Sequence, residues 1–429
     1  MATIGGQRLS VWGDHRRAIG RIGRPPRHTF GGVTTATASG PLAGVKIIEF
    51  AGIGPGPFAG MVLADLGADV IGIDRPGGAG PFDLPVLRRG RRSIAVDLKS
   101  EAGRAVILDL VASADALIEP YRPGVMERLG LGPDACLARN PRLVYARMTG
   151  WGQDGPQSPY AGHDLTYTAT AGILSSVVRD PHDGSVPRPV LPGPYLGDVA
   201  GGALLLVTGL LAALHSAAAT GAGQVIDAAI TDGASYLTTF THALRLKGMW
   251  GAAPGNNILD TGAPFYEVYE CADGRHLAIG ALEPQFYDAL LHLLAEHAGL
   301  DLGPEDPRRP EHRLDPARWP EAKALWESFF RTRTRDDWCA FLERSDACVA
   351  PVLSLEEAPA HPHLDARAAY MPVGGEHGPT LPVPAPRFSS TPTYPRPVPA
   401  QGEHTDELLG ELGYHPARIA TLRSTSVVA

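Results

Sequence analysis

Between Val45 and Asp74 the sequence switches from strand-like to helix-like and back. "VKIIEF" (45–50) is a β-branched apolar run, and "AGIGPGP" (51–57) breaks it. "FAGMVLADLGA" (58–68) spaces its apolar residues as a helix does, and "DVIGID" (69–74) is a second short apolar run. This is a strand–helix–strand unit. The theme returns: "EAGRAVILDLVASA" (101–114) reads as a helix, and "DALIEP" (115–120) and "RLVYARMTG" (142–150) read as strands. Strands alternating with helices need a parallel sheet covered on both faces. The expected fold class is therefore α/β. "GIGPGP" imitates a dinucleotide fingerprint, but Pro57 stands where the third glycine belongs, so a nicotinamide enzyme is not expected.

Beyond Asp198 the chain turns helical, through Ala217 and again near 230–248. Its longest apolar run, Gly201 to Leu214, holds 14 residues. That is short of the roughly 20 that cross a bilayer, so a buried core helix is expected. A second region opens near Gly262, where "FYEVYECADGRHLAIGAL" (265–282) reads as an antiparallel hairpin turning at Asp273-Gly274. Helices follow to about Arg344. Nine prolines between Pro372 and Pro399 exclude helix there, and "GEHTDELLGELG" (402–413) is a last short helix. Residues 1–40 carry six arginines against one acid, Asp14, without periodicity. They are expected to be a disordered extension, with a transit peptide or an upstream start codon as alternatives.

A net charge of −8 argues against nucleic acid as the main partner. The four cysteines, Cys136, Cys271, Cys339 and Cys348, form no CxxC pair. No metal knuckle or redox pair is expected, and a reducing, cytoplasmic setting is.

Six stretches occur in order: "RMTGWGQDGP" (147–156), "GHDLTY" (162–167), "GDVAGG" (197–202), "GAPFYEVYECADGR" (262–275), "GALEPQFY" (280–287) and "GEHTDE" (402–407). With them the chain resembles the family III CoA-transferase (CaiB/BaiF) superfamily over about residues 41–415, and more nearly its α-methylacyl-CoA racemase branch. The resemblance implies a Rossmann-like large domain with a parallel sheet, built from residues 41–232 and the return segment 372–429. Linker helices and a smaller α+β domain would occupy 233–371. Two subunits would interlock as a homodimer. The implied substrate is an acyl-CoA, with no metal and no cofactor beyond the CoA that the substrate carries, no nucleic acid and no membrane span.

Racemising a 2-methylacyl-CoA means removing the proton beside the thioester carbonyl and returning it to either face. That needs a base on each face and donors for the enolate oxygen. His163 is a candidate because an unperturbed imidazole titrates at about 6.5. Most lone histidines are structural, and it is the resemblance that makes His163 one of the two bases. Asp198 is the other candidate. An aspartate before a long apolar helix reads as an N-cap, where free N–H groups would also favour an enolate oxygen. Gly197, Gly201 and Gly202 would let a thioester approach the backbone. By resemblance Glu283, from the small domain, faces the other subunit and pairs with His163, while Asp164 is structural. For CoA the resemblance points to Arg75, to Leu98 and Lys99, to Tyr121 against the adenine, and to Arg128. Arg88, Arg89, Arg91 and Arg92 ("RRGRR") would form a basic lip near the phosphates.

The alternative reading keeps the fold and makes the aspartate matching Asp198 a nucleophile, moving CoA between carboxylic acids through an anhydride. The histidine at 163 and the lack of a "GGGG" loop oppose it. A non-catalytic acyl-CoA scaffold would need the loss of His163, Asp198 or Glu283.

Overall fold

The computed structural model describes residues 39–78, 80, 83–179, 188–372 and 378–429. Almost all of the amino-terminal extension lies outside them. Six strands form one sheet: β1 (Lys46–Phe50), β2 (Asp69–Asp74), β3 (Arg91–Ala95), β4 (Ala116–Glu119), β5 (Val144–Thr149) and β6 (Gln224–Ala229). Their spatial order is β3-β2-β1-β4-β5-β6, and every neighbouring pair is parallel. The order reverses between β1 and β4, and ligands of such open sheets bind outside the carboxyl ends of the strands at that reversal.

Alternation along the strands divides the core. Ile48, Ile71, Ile94 and Leu117 face helix α2 (Glu101–Val111) and the carboxyl-terminal residues Leu408, Leu409 and Val428. Ile47, Val70, Ile118 and Val144 face helix α1 (Pro55–Asp65) and a long helix carrying Leu206 and Leu210. Successive side chains of a strand point to opposite faces, so each short apolar run serves both layers. Ser100 caps α2, its hydroxyl accepting from Gly103 N at 2.9 Å.

Two strands of this sheet escape the sequence reading. β3 ("RRSIA") opens with two arginines, and β6 ("QVIDAA"), although it follows a turn at Gly221, holds only two β-branched residues between a glutamine and an aspartate. β3 tolerates its charges because they are neutralised inside the fold: Arg91 Nε lies 2.6 Å from Glu49 Oε2, and Arg92 Nη2 lies 2.6 Å from Asp69 Oδ2.

After β5 comes α3 (Asp164–Thr170), then a π-helical segment (Tyr195–Leu204) that runs directly into α4 (Leu205–Thr220). Together Tyr195–Thr220 spans 26 residues, long and apolar enough by length and composition to cross a bilayer. The sequence reading, which stopped at an uninterrupted run of 14 residues, is corrected in length. Leu206, Val207, Leu210 and Ala213 of this helix pack on the sheet, which accounts for its apolarity. Helices α5 (Ile230–Leu237) and α6 (Thr239–Leu246) follow β6.

The second unit has its own sheet and core. β7 (Tyr266–Glu270) and β8 (His276–Gly280) pair antiparallel, and β9 (Val349–Pro351) pairs with β8. Gly274 at the hairpin turn has φ 73°, as its place beside Asp273 predicts. Helices α7 (Pro284–Ala298), α8 (Trp319–Phe330) and α9 (Arg335–Leu342) enclose a core of Phe265, Tyr269, Tyr287, Trp326, Phe330 and Trp338. From Pro372 to the next helix, α10 (Thr405–Glu411), the described residues include no helix. Arg396 on this strap donates to the carbonyls of Ala64 (2.7 Å) and Ala68 (2.8 Å), at the far end of α1.

Candidate active site

Asp198 is the fourth residue of the π-helical segment, inside the first turn rather than at the N-cap. This corrects the capping expectation. Its backbone N–H is already engaged, donating to Asp164 Oδ1 at 2.5 Å. The three nearby glycines are also spoken for. A Cβ on Gly197 would lie 2.1 Å from Asp164 Oδ1, one on Gly201 2.7 Å from Ala234 N, and one on Gly202 3.1 Å from Pro55 Cβ. They exist for close internal packing and not for thioester access, a second correction.

The Asp198 carboxylate reaches a different helix start. Gly54, between β1 and α1, has φ 67°, a conformation open to glycine and costly for other residues. A Cβ there would lie 2.9 Å from Asp198 Oδ2. Asp198 therefore sits over the amino terminus of α1. Pro55 and Pro57 have no N–H, so Gly56 presents the one N–H among the first three residues of that helix, and a first-turn N–H has no acceptor within its helix.

His163 precedes α3. Its N–H donates to Thr166 Oγ1 at 3.0 Å, and that hydroxyl donates to the His163 carbonyl at 2.8 Å. The ring is exposed, and its positive form would act on Asp198 electrostatically. Partial burial pushes the Asp198 carboxyl up to about 6; Asp164 adds to the rise and His163 opposes it. A carboxylate at that value is a stronger base than an ordinary aspartate.

Two residues of this corner were undervalued in the sequence. Asp164 is buried; its Oδ1 holds the Asp198 N–H, and its Oδ2 has no hydrogen-bond partner among the described residues. Tyr167, the last residue of "GHDLTY", lies edge-on to Trp151 with centroids 4.8 Å apart. A Cβ on Gly150 would fall 2.2 Å from its hydroxyl oxygen, and one on Gly162 2.9 Å from the same atom. Burial raises the phenol, and the charge of Asp198 raises it further. The signal was the pair of glycines at 150 and 162, both emptied by one tyrosine ring.

The residues expected at CoA gather at the carboxyl ends of β2, β3 and β4. Arg75 follows β2 and is exposed, and its carbonyl accepts from the Gln401 side chain. Tyr121 follows β4, packs edge-on to Phe50 at 6.1 Å and feels the charge of Arg75. Glu119 Oε2 holds the Tyr121 N–H at 2.8 Å while Oε1 takes Arg147 Nε at 2.9 Å. Leu98 packs on the same core as Tyr121, and Lys99 is exposed with its N–H on Asp97 Oδ1 at 3.0 Å. Arg128 ends the short helix Val125–Arg128 and is exposed. This edge includes the β1/β4 reversal and adjoins Asp198.

The basic lip is corrected outright. Arg89 is buried on Asp65 (Nη2–Oδ2 2.5 Å), and Arg91 is buried on Glu49. Arg92 takes Asp69, Glu407 (2.9 Å) and Glu411 (2.6 Å), and Arg88 lies 3.2 Å from Asp83. The run braces α1 and α10. Glu283 is the N-cap of α7 in the second unit, with no capping bond from its side chain and with its charge acting on Cys348. Within one chain its neighbourhood is thus the Cys348 turn. Among the described residues no group of three His, Cys, Asp or Glu side chains could hold a metal ion.

Residues 42–405 match CoA-transferase family III. The chain is 43% identical over 389 residues to mouse (Mus musculus) α-methylacyl-CoA racemase, covering 90% of this chain and 97% of that protein. It is 41% identical to the human (Homo sapiens) α-methylacyl-CoA racemase over the same shares. A solved CaiB/BaiF family protein from Brucella suis superposes with a TM-score of 0.71 at 28% identity, covering 87% of this chain and 100% of that one. The chain belongs to CoA-transferase family III.

Proposed function

We propose that the chain is an α-methylacyl-CoA racemase, an isomerase that interconverts (2R)- and (2S)-2-methylacyl-CoA thioesters. The observation that carries this reading is the meeting of Asp198, raised to about 6, with His163 beside the open helix start at Gly54. One base removes the α-proton, the electrons pass into the thioester carbonyl, and the conjugate acid of the other base returns a proton to the opposite face. In the reverse direction the roles exchange. The Gly56 N–H and the positive end of α1 would receive the enolate oxygen. Arg75, Lys99 and Arg128 would hold CoA phosphates, with Leu98 and Tyr121 flanking the adenine. Nothing in these steps moves electrons out of the substrate, so the reading needs no cofactor beyond the CoA that arrives with it.

Residues 41–232 with 372–429 would form the CoA-binding domain, and 233–371 the linker and small domain. Glu283 would act as part of a homodimer, orienting His163 across the subunit interface. Exposed Tyr236, Phe240 and Leu246 on α5 and α6 (69%, 67% and 91% exposed) support burial against a second copy. Four free cysteines support a reducing, cytoplasmic setting.

Proton NMR of a (2R)-2-methylacyl-CoA in D2O, followed by chiral analysis of the recovered acid, tests the proposal. Loss of the α-proton signal with a mixture of configurations is expected. No exchange, with CoA passing to an added carboxylate, would overturn it in favour of transfer through Asp198.

A further inference from the structure

Arg313, in the second unit, is 7% exposed. Its guanidinium lies over the ring of Phe265, 4.8 Å from the centroid, and near that of Tyr287 at 5.8 Å. Phe265 itself meets Tyr287 and Trp319 edge-on. Trp319 Nε1 donates to the Arg313 carbonyl at 2.9 Å, which fixes the backbone from which the side chain extends. The neighbouring arginines are neutralised, Arg308 by Asp306 and Arg309 by Glu311. Arg313 forms no ion pair among the described residues. Instead Nη1 donates to the carbonyl of Leu282.

A buried cation without a carboxylate is expensive, and aromatic faces compensate in part. The one directional bond is therefore informative, because Leu282 immediately precedes Glu283. The same short loop is held from the other side: Gly280 N donates to the Cys348 carbonyl at 2.9 Å, and Leu282 N to the Gly280 carbonyl at 2.8 Å. Glu283 then opens α7, its carbonyl accepting from the N–H groups of Phe286 and Tyr287, each at 3.1 Å. Tyr287 thus belongs both to the ring pair around Arg313 and to the first turn that Glu283 begins. This explains why "GALEPQFY" joins a glutamate to a tyrosine four residues on.

We propose that Arg313 is a positioning residue for Glu283. Lying over Phe265 and near Tyr287, it pins the Leu282 carbonyl and so fixes the direction in which Glu283 presents its carboxylate to His163 across the subunit interface. The proposal rests on the reading that Glu283 orients His163.

A double-mutant cycle tests it on the full-length protein, with kcat, KM and melting temperature measured for R313M, E283Q and the double variant. R313M is expected to lower kcat about tenfold, leave KM for the acyl-CoA within about twofold, and lower kcat no further in the E283Q background. R313K keeps the charge and N–H donors but loses the planar guanidinium over the ring. It is expected to recover part of kcat, and it carries the same cycle if R313M does not fold. Equal losses of kcat in both backgrounds, or a wild-type kcat in R313M, would overturn the proposal while leaving Glu283 its role. A wild-type kcat in E283Q would remove the role of Glu283 and the proposal with it.

Discussion

The β3 edge and the His163–Asp198 corner both place charge inside the protein, and they treat it in opposite ways. At the edge Glu49 is driven upward by burial and pulled back by Arg91, and Asp65 stands in the same relation to Arg89. Each carboxylate there has a guanidinium bonded to it. At the corner Asp198 is partly buried, the charges that act on it are another carboxylate and a histidine, and among the described residues no arginine is bonded to it. Paired charge in this protein makes scaffold. Charge left with a proton to gain or lose is what the proposed chemistry would use.

That contrast breaks most visibly at the corner. D198A and H163A should each lower turnover by about 100- to 10,000-fold, with melting temperatures near wild type, as read by steady-state kinetics and thermal unfolding. The opposite signature is expected at the edge. R91M strands Glu49 in the core and should cost about 3–5 kcal/mol of stability in chemical denaturation, while the protein that remains folded keeps its kcat. G54A disturbs the seat of Asp198: its added Cβ meets both a positive φ and the Asp198 carboxylate. A drop in kcat of about tenfold with a stability loss of about 1–2 kcal/mol is expected. R128A should raise KM for the thioester about fivefold and leave kcat within twofold.

The smallest effect sharpens the electrostatics. Activity that needs the Asp198 carboxylate should rise as pH climbs through about 6. D164N keeps an oxygen for the Asp198 N–H but removes a negative neighbour that raises its pKa. The acidic limb of the kcat/KM profile should therefore move to lower pH, and an unmoved limb would mean that burial alone sets it.

The large sheet was legible because β1, β2, β4 and β5 are short apolar runs bounded by breakers. β3 was not, since Arg91 and Arg92 look like surface residues until Glu49 and Asp69 are seen opposite them. The same long-range pairing dissolved the basic lip. Asp198 was legible as a residue and misread as a cap. Nothing local marks a π-helical turn, or says that Gly201 exists so that Gly233 can pass; a Cβ on Gly233 would lie 1.8 Å from the Gly201 carbonyl oxygen. The hairpin at Asp273-Gly274 came through because its turn chemistry is local. The anchoring of Glu283 did not, because Arg313 lies thirty residues away in the chain.

The most direct test of the two-base account follows each enantiomer separately in D2O with one base removed. D198N and H163A should each still exchange the α-proton of one 2-methylacyl-CoA enantiomer, with no inversion, and the two variants should choose opposite enantiomers. Exchange of the same enantiomer by both variants, or of both enantiomers by either one, would contradict the placement of Asp198 and His163 on opposite faces of the α-carbon.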